Sequence, residues 1–163
     1  MCGIFGVIGT NHQSQVDFKK LAAYARQRGR DASGLILQNG DSYLVKKENV
    51  DVLRLLGTAD IGTAKLKIGH SRLITNGLED NQPVVRDGFC LVHNGIVVNE
   101  TDIWKKIDFE RKFTVDSEAI LGVAIHELAK GLEITALAEK IMTTCVGTMS
   151  CALVLPRIGK LLL

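Results

Sequence analysis

Residues 33–47 read SGLILQNGDSYLVKK, two apolar-rich runs separated by Asn39-Gly40. An Asn-Gly pair between such runs is the strongest short hairpin signal, because both residues accept the positive φ of a two-residue turn. The stretch therefore predicts an antiparallel strand pair. A second hairpin is expected over VVRDGFCLVHNG (84–95), turning at Asp87-Gly88.

Outward from these hairpins the chain alternates less regularly than a parallel α/β protein would. MCGIFGVIG (1–9) reads as a buried strand, followed by a helix over QVDFKKLAAYARQRG (15–29), where Phe18, Leu21, Ala22 and Ala25 recur at helical spacing and Gly29 supplies a stop. A short helix is expected over VDVLRLLG (50–57) and a strand over LKIGHSR (66–72). Two helices follow, NETDIWKKI (99–107) with Asn99 as cap and DSEAILGVAIHELAKG (116–131) with Asp116 as cap and Gly131 as stop. EITALAEKIMTTCVG (133–147) adds an amphipathic helix, and TMSCALVLP (148–156) a strand before a turn at RIGK (157–160). Hairpins combined with grouped helices predict an α+β protein with antiparallel sheet and helices outside it.

The chain has 163 residues, enough for one domain with a real core. A hydrophobic fraction of 46% with 23% charged residues is that of a folded globular protein. Twenty basic and 18 acidic residues give a net charge of +2, with no sustained basic run and few aromatics, so nucleic-acid binding has no support. No stretch approaches the roughly 18 uninterrupted apolar residues of a membrane span, and the start lacks a basic region and a cleavage pattern. The expectation is a cytoplasmic protein without a membrane partner. Cys90, Cys145 and Cys151 stand at no metal-ligand spacing and are expected to be reduced and buried.

Cys2 is different. If Met1 is removed, it carries a thiol and a free α-amine, with pKa values of roughly 8.5 and 7.7–8.0, so a nucleophile and its base share one residue. Four polar stretches stand at strand ends or loops: RGRDASG (28–34), GHSRLITNG (69–77), VHNGIVVNE (92–100) and VDSEAI (115–120). Singly each reads as a turn, a solvated charge or a helix cap. Together with Cys2 they meet the needs of acyl transfer from an amide. The Asn94 side-chain amide and the Gly95 backbone N–H suit an oxyanion hole, glycine allowing close backbone approach. Arg72 suits the carboxylate of an amino-acid substrate such as glutamine, and Asp116 its ammonium group.

With these motifs in this order, the sequence resembles the class II glutamine amidotransferases over nearly its whole length. The resemblance implies the N-terminal-nucleophile αββα sandwich, two antiparallel sheets stacked between helix layers. HNGIVVNE with RGRDASG is most similar to the glutamine–fructose-6-phosphate amidotransferases, which make glucosamine 6-phosphate, whereas NQPVV (81–85) is more similar to the phosphoribosylpyrophosphate amidotransferases and asparagine synthetases. Carried over by motif, Cys2 is the nucleophile, Asn94 and Gly95 the oxyanion hole, and Arg72 and Asp116 the glutamine clamp. Thr75, Asn76 and Gly77 line the substrate pocket, and Arg28 and Gly29 shape the wall beside the nucleophile. The implied reaction yields a glutamyl thioester and ammonia, needs no metal or organic cofactor, and passes ammonia to a synthase domain or partner chain; oligomerisation is left open.

Two departures accompany the resemblance. The amino-sugar enzymes usually have tryptophan after the clamp arginine and histidine before the loop glycine, where this chain has Leu73 and Asn76. Residues 1–163 are expected to form one glutaminase domain, truncated before the family's last strands and without an acceptor domain. The competing readings are a non-catalytic glutamine-sensing module and a relic of the fold used only for protein contact.

Overall fold

The computed structural model describes residues 2–73 and 81–163, and their architecture is α+β. The backbone divides into two compact units, the first ending at Pro83 and the second spanning Val84–Leu163. Each holds a four-stranded antiparallel sheet with helices packed on it.

In the first unit the chain runs β1 (Gly3–Ile8), α1 (His12–Ala25), β2 (Ala32–Asn39), β3 (Ser42–Glu48), α2 (Val52–Leu56) and β4 (Leu66–Arg72). The sheet order is β1-β4-β2-β3, so the last strand to arrive lies between two earlier ones. Side chains alternate across a strand. Phe5, Leu35 and Leu37 consequently share one face, where they meet Phe18, Ala22, Val52 and Leu55 from the helices. The Phe5 and Phe18 rings lie 4.9 Å apart, within the range of favourable aromatic pairs.

Helix α1 begins earlier than the apolar spacing suggested, because Asn11 caps it by accepting a 2.8 Å bond from the Ser14 N–H. Its end also differs. The α-helix closes at Ala25 and tightens into a 3₁₀ turn over Arg26–Arg28, so Gly29 follows that turn. The first hairpin turns one residue later than Asn39-Gly40: Asn39 pairs with Ser42, leaving Gly40 and Asp41 as the loop, with Gly40 at φ +57°. At the opposite end of the sheet from Cys2, Lys67 is buried and its Nζ donates to the Gly9 carbonyl at 2.6 Å. Burial pulls its pKa below the ordinary lysine value.

The second unit contains β5 (Val84–Arg86), β6 (Phe89–Val97), α3 (Glu100–Trp104), α4 (Ser117–Ala129), α5 (Leu137–Thr144), β7 (Gly147–Leu155) and β8 (Lys160–Leu162), with sheet order β5-β6-β7-β8. Asp87 and Gly88 form the expected hairpin turn, with φ of +50° and +82°. Leu91, Leu153 and Leu155 from the sheet pack with Ile120, Leu137 and Ile141 from the helices. Asn99 stands before α3 but does not cap it through its side chain. Instead its Nδ2 donates to the Thr144 carbonyl at 2.9 Å and its Oδ1 accepts from the Val146 N–H at 2.8 Å, stapling the corner between α5 and β7.

Glu118, in the first turn of α4, is fully buried and paired with Arg86 of β5. It also accepts from the backbone N–H groups of Lys112 (3.0 Å) and Phe113 (2.7 Å), so one carboxylate joins a helix, a strand and a loop. Arg86 in turn lies 4.3 Å over the Phe109 ring. Removing one partner of a buried pair leaves an uncompensated charge. Glu118→Ala is therefore expected to lower unfolding free energy by about 3–5 kcal/mol in urea titrations. Arg86→Met with Glu118→Leu should recover only part of that loss, since the two backbone donors still lack an acceptor.

Candidate active site

The amino end of β1, the carboxyl end of β4 and the amino end of β2 meet at one end of the first sheet. Gly3 pairs with Ser71 and Ala32 with Arg72. Cys2 and Arg72 are the residues that follow the first of these pairs on their two chains, Cys2 standing just outside β1. Both residues are half-buried, and strand alternation puts them on the sheet face opposite α1.

The loop that carries RGRDASG is fastened to this end. The Asp31 N–H donates to the Arg72 carbonyl at 3.0 Å, and the Ser71 hydroxyl donates to the Gly29 carbonyl at 2.6 Å. Gly29 is buried against the peptide joining Arg72 to Leu73, and a Cβ there would overlap it. Close approach, with φ at −179°, is thus what requires glycine. Arg28 is exposed at the end of the 3₁₀ turn, and Leu73 is 44% exposed.

The Arg72 guanidinium is held by Asn81. Its Nη1 donates to Asn81 Oδ1 at 3.0 Å, Asn81 Nδ2 donates to Asn49 Oδ1, and Lys47 Nζ donates to the Asn81 carbonyl at 2.9 Å. Gly34 allows the Gln82 carbonyl to lie directly on β2, where a Cβ would overlap it. The NQPVV stretch thereby braces Arg72, a role its sequence did not announce. Thr75, Asn76 and Gly77 lie outside the described residues.

In the second unit Asn94 and Gly95 lie within β6, half-buried and exposed respectively. Gly95 has φ +153° and would drive a Cβ into the Thr148 carbonyl, so conformation and space both demand glycine. Asp116 occupies the residue before α4 yet makes no capping bond to the helix. Its Oδ2 accepts from the Val97 N–H at 2.7 Å, which corrects the expectation of a simple helix cap. A carboxylate held by one oxygen still presents the other.

Between these residues lies buried His93. Its Nδ1 is 3.0 Å from the Ser117 hydroxyl and its Nε2 3.4 Å from the Thr148 carbonyl. Burial lowers its pKa from 6.5, opposed by the charge of Asp116 and by the Thr148 carbonyl.

The thiols are chemically unequal. Cys90 and Cys145 are buried as expected, but Cys151 is only half-buried, which corrects the expectation for it: it stands where β7 passes from its exposed end into the core. Desolvation pushes Cys90 and Cys145 up to about 11, and desolvation with the nearby Cys145 and Asp116 pushes Cys151 up to about 12. These three stay protonated at neutral pH and are poor nucleophiles. A cavity of about 350 Å³, lined by Leu91, Ile141, Met149 and Cys151 among others, lies on the helix-covered face of the second sheet. It is apolar, whereas Asn94 alternates onto the other face. Among the described residues no cluster of His, Cys, Asp or Glu is arranged to hold a metal ion, and no helix is long and apolar enough to cross a membrane.

No family model matches the chain. It is 30% identical over 163 residues to a glutamine–fructose-6-phosphate aminotransferase (isomerizing) of Listeria innocua, a match covering 94% of this chain and 27% of that protein. It is 32% identical over 148 residues to an amidophosphoribosyltransferase of Pseudomonas aeruginosa, covering 79% of this chain and 28% of the relative. Among solved structures, the glutamine phosphoribosylpyrophosphate amidotransferase from B. subtilis aligns with a TM-score of 0.77 at 19% identity, over 95% of this chain and 35% of that one. The chain spans about a quarter of the length of the curated relatives it matches (27% and 28%).

The fold is therefore that of the N-terminal-nucleophile amidotransferases. The chain is a class II glutamine amidotransferase domain, similar to part of the glutamine–fructose-6-phosphate aminotransferases.

The lowered pKa of His93 has a measurable consequence. The unfolded chain takes up this proton near pH 6.5 and the folded chain only at lower pH. The stabilising effect of a neutral His93 is thus complete above 6.5 and is lost as pH falls toward the folded pKa, at up to about 1.4 kcal/mol per pH unit. Melting temperature followed from pH 7.5 downward should show a shallower acid-side decline for His93→Asn than for the natural chain.

Proposed function

We propose that the chain hydrolyses the side-chain amide of glutamine through a thioester on Cys2 and delivers the ammonia to a synthase site for amino-sugar formation. What supports this reading is that β1 and β4 pair up to Gly3 and Ser71, so that Cys2 and Arg72 are the next residues of the two chains, with the guanidinium bonded to Asn81. A nucleophile next to a carboxylate anchor is the arrangement an amino-acid amidase requires.

After removal of Met1, the Cys2 α-amine takes the thiol proton and the sulfur attacks the amide carbon. Arg72 holds the glutamine carboxylate and Asp116 accepts from its ammonium group. The oxyanion that forms is met by the Asn94 side-chain amide and the Gly95 N–H. The α-ammonium group protonates the departing nitrogen, ammonia leaves, and a Cys2 glutamyl thioester remains. Water then attacks the thioester, releasing glutamate and restoring the thiol. Thr75, Asn76 and Gly77 line the glutamine pocket in this reading, and Arg28 and Gly29 form its wall near Cys2.

Residues 1–163 constitute the glutaminase domain in this account. The synthase that takes the ammonia resides in the same polypeptide or in a partner chain, and the protein works in the cytoplasm. Similarity to the fructose-6-phosphate enzymes favours a hexose phosphate as acceptor. On the complete polypeptide, glucosamine 6-phosphate formed from fructose 6-phosphate supports that acceptor, and amination of phosphoribosylpyrophosphate instead would replace it.

Glutamate release from glutamine tests the proposal directly. Cys2→Ala is expected to abolish turnover, and substantial residual rate would remove Cys2 as nucleophile. Arg72→Ala and Asp116→Ala each delete a charge-assisted contact of about 1.5–3 kcal/mol, so KM for glutamine should rise roughly 10- to 100-fold. An unchanged KM for either variant would take that residue out of the clamp.

A further inference from the structure

His93 has a second consequence within the unit that carries it. The Thr148 carbonyl can only accept, so the Nε2 facing it carries the ring hydrogen of a neutral imidazole, and Nδ1 accepts from the Ser117 hydroxyl. The same Thr148 carbonyl is what forces residue 95 to be glycine, and His93 Nε2 would itself lie 2.8 Å from a Cβ at that position. One nitrogen of the ring therefore braces the wall against which the Gly95 backbone is set.

The other nitrogen reaches the first residue of α4. Ser117 follows Asp116, and the two neighbours grip β6 on either side of Asn94-Gly95-Ile96: Ser117 through His93, and Asp116 through the Val97 N–H at 2.7 Å. We infer that His93 is a positioning residue that fixes the oxyanion donors through Thr148 and the clamp carboxylate through Ser117. The inference rests on the roles given above to Asn94, Gly95 and Asp116. His93 itself is buried and touches no reacting atom in this scheme.

The two arms of the imidazole can be cut separately. Asparagine at 93 can still accept from Ser117 but is too short to reach Thr148, so His93→Asn loosens the oxyanion strand alone. Ser117→Ala removes the helix tie while leaving the Thr148 contact. His93→Asn is expected to lower kcat for glutamine hydrolysis about tenfold with KM changed less than threefold, and Ser117→Ala to raise KM about tenfold with kcat nearly kept, each a loss near 1.4 kcal/mol. Equal losses in both parameters for both variants, or losses matching only the unfolded fraction measured by circular dichroism, would overturn the positioning role.

Amide hydrogen exchange on the same proteins gives a readout independent of turnover. The Val97 N–H, bonded to Asp116, should exchange at least several-fold faster in Ser117→Ala than in the natural chain, while His93→Asn leaves it unchanged. If the natural chain releases no glutamate, the glutaminase reading fails by itself. The exchange pattern then still decides whether Ser117 and His93 tie Asp116 to β6, and an unaltered Val97 rate in Ser117→Ala refutes that tie.

Discussion

Three consecutive residues at the amino end of α4 turn away from the helix they begin. Asp116 accepts from Val97, Ser117 bonds His93, and Glu118 pairs with Arg86 while receiving the Lys112 and Phe113 N–H groups. A helix start leaves backbone donors without intrahelical partners and carries partial positive charge, so acidic residues are favoured there. In this chain that preference is turned toward neighbouring elements. The start of one helix consequently fixes β5, the turn before the helix, and the part of β6 that bears Asn94 and Gly95. The second unit's candidate groups owe their geometry to this junction.

The first unit solves its own positioning problem through strand order. β4 is inserted between β1 and β2, and so three strand ends that are far apart in sequence arrive together. Glycine makes the crowding tolerable at Gly29, where the RGRDASG loop lies against the Arg72–Leu73 peptide, and at Gly34, beneath the Gln82 carbonyl. Side chains then lock the backbone arrangement: Ser71 holds the loop and Asn81 holds the arginine. Lys67, buried at the far end of β4, fastens the Gly9 turn and leaves the Cys2 end free of its charge.

Much of this was legible in the sequence, for identifiable reasons. Hairpins signalled by Asn-Gly and Asp-Gly are local, and both appear, although the first is displaced by one residue because Asn39 pairs with Ser42. The strand LKIGHSR appears with the expected limits, since its apolar residues are buried and its polar end coincides with a loop. Helix ends were less legible. Asn99 and Asp116 have capping identities, yet both spend their side chains on distant backbone groups, a choice made by tertiary neighbours. The candidate residues were found because they cluster in short polar motifs, whereas Asn81, Glu118 and His93 act through contacts that no local pattern encodes. Their roles required knowing which strand lies beside which.

The proposed nucleophile, Cys2, is set apart from Cys90, Cys145 and Cys151 by the reactivity expected of it toward an analogue of glutamine. The most direct measurement is intact mass and peptide mapping of the matured chain, lacking Met1, after exposure to a diazo-ketone analogue of glutamine. One adduct is expected, located on Cys2 and suppressed by excess glutamine, with Cys90, Cys145 and Cys151 unmodified because desolvation keeps their thiols protonated. An unlabelled Cys2, or labelling that glutamine does not suppress, would contradict the proposed role of Cys2.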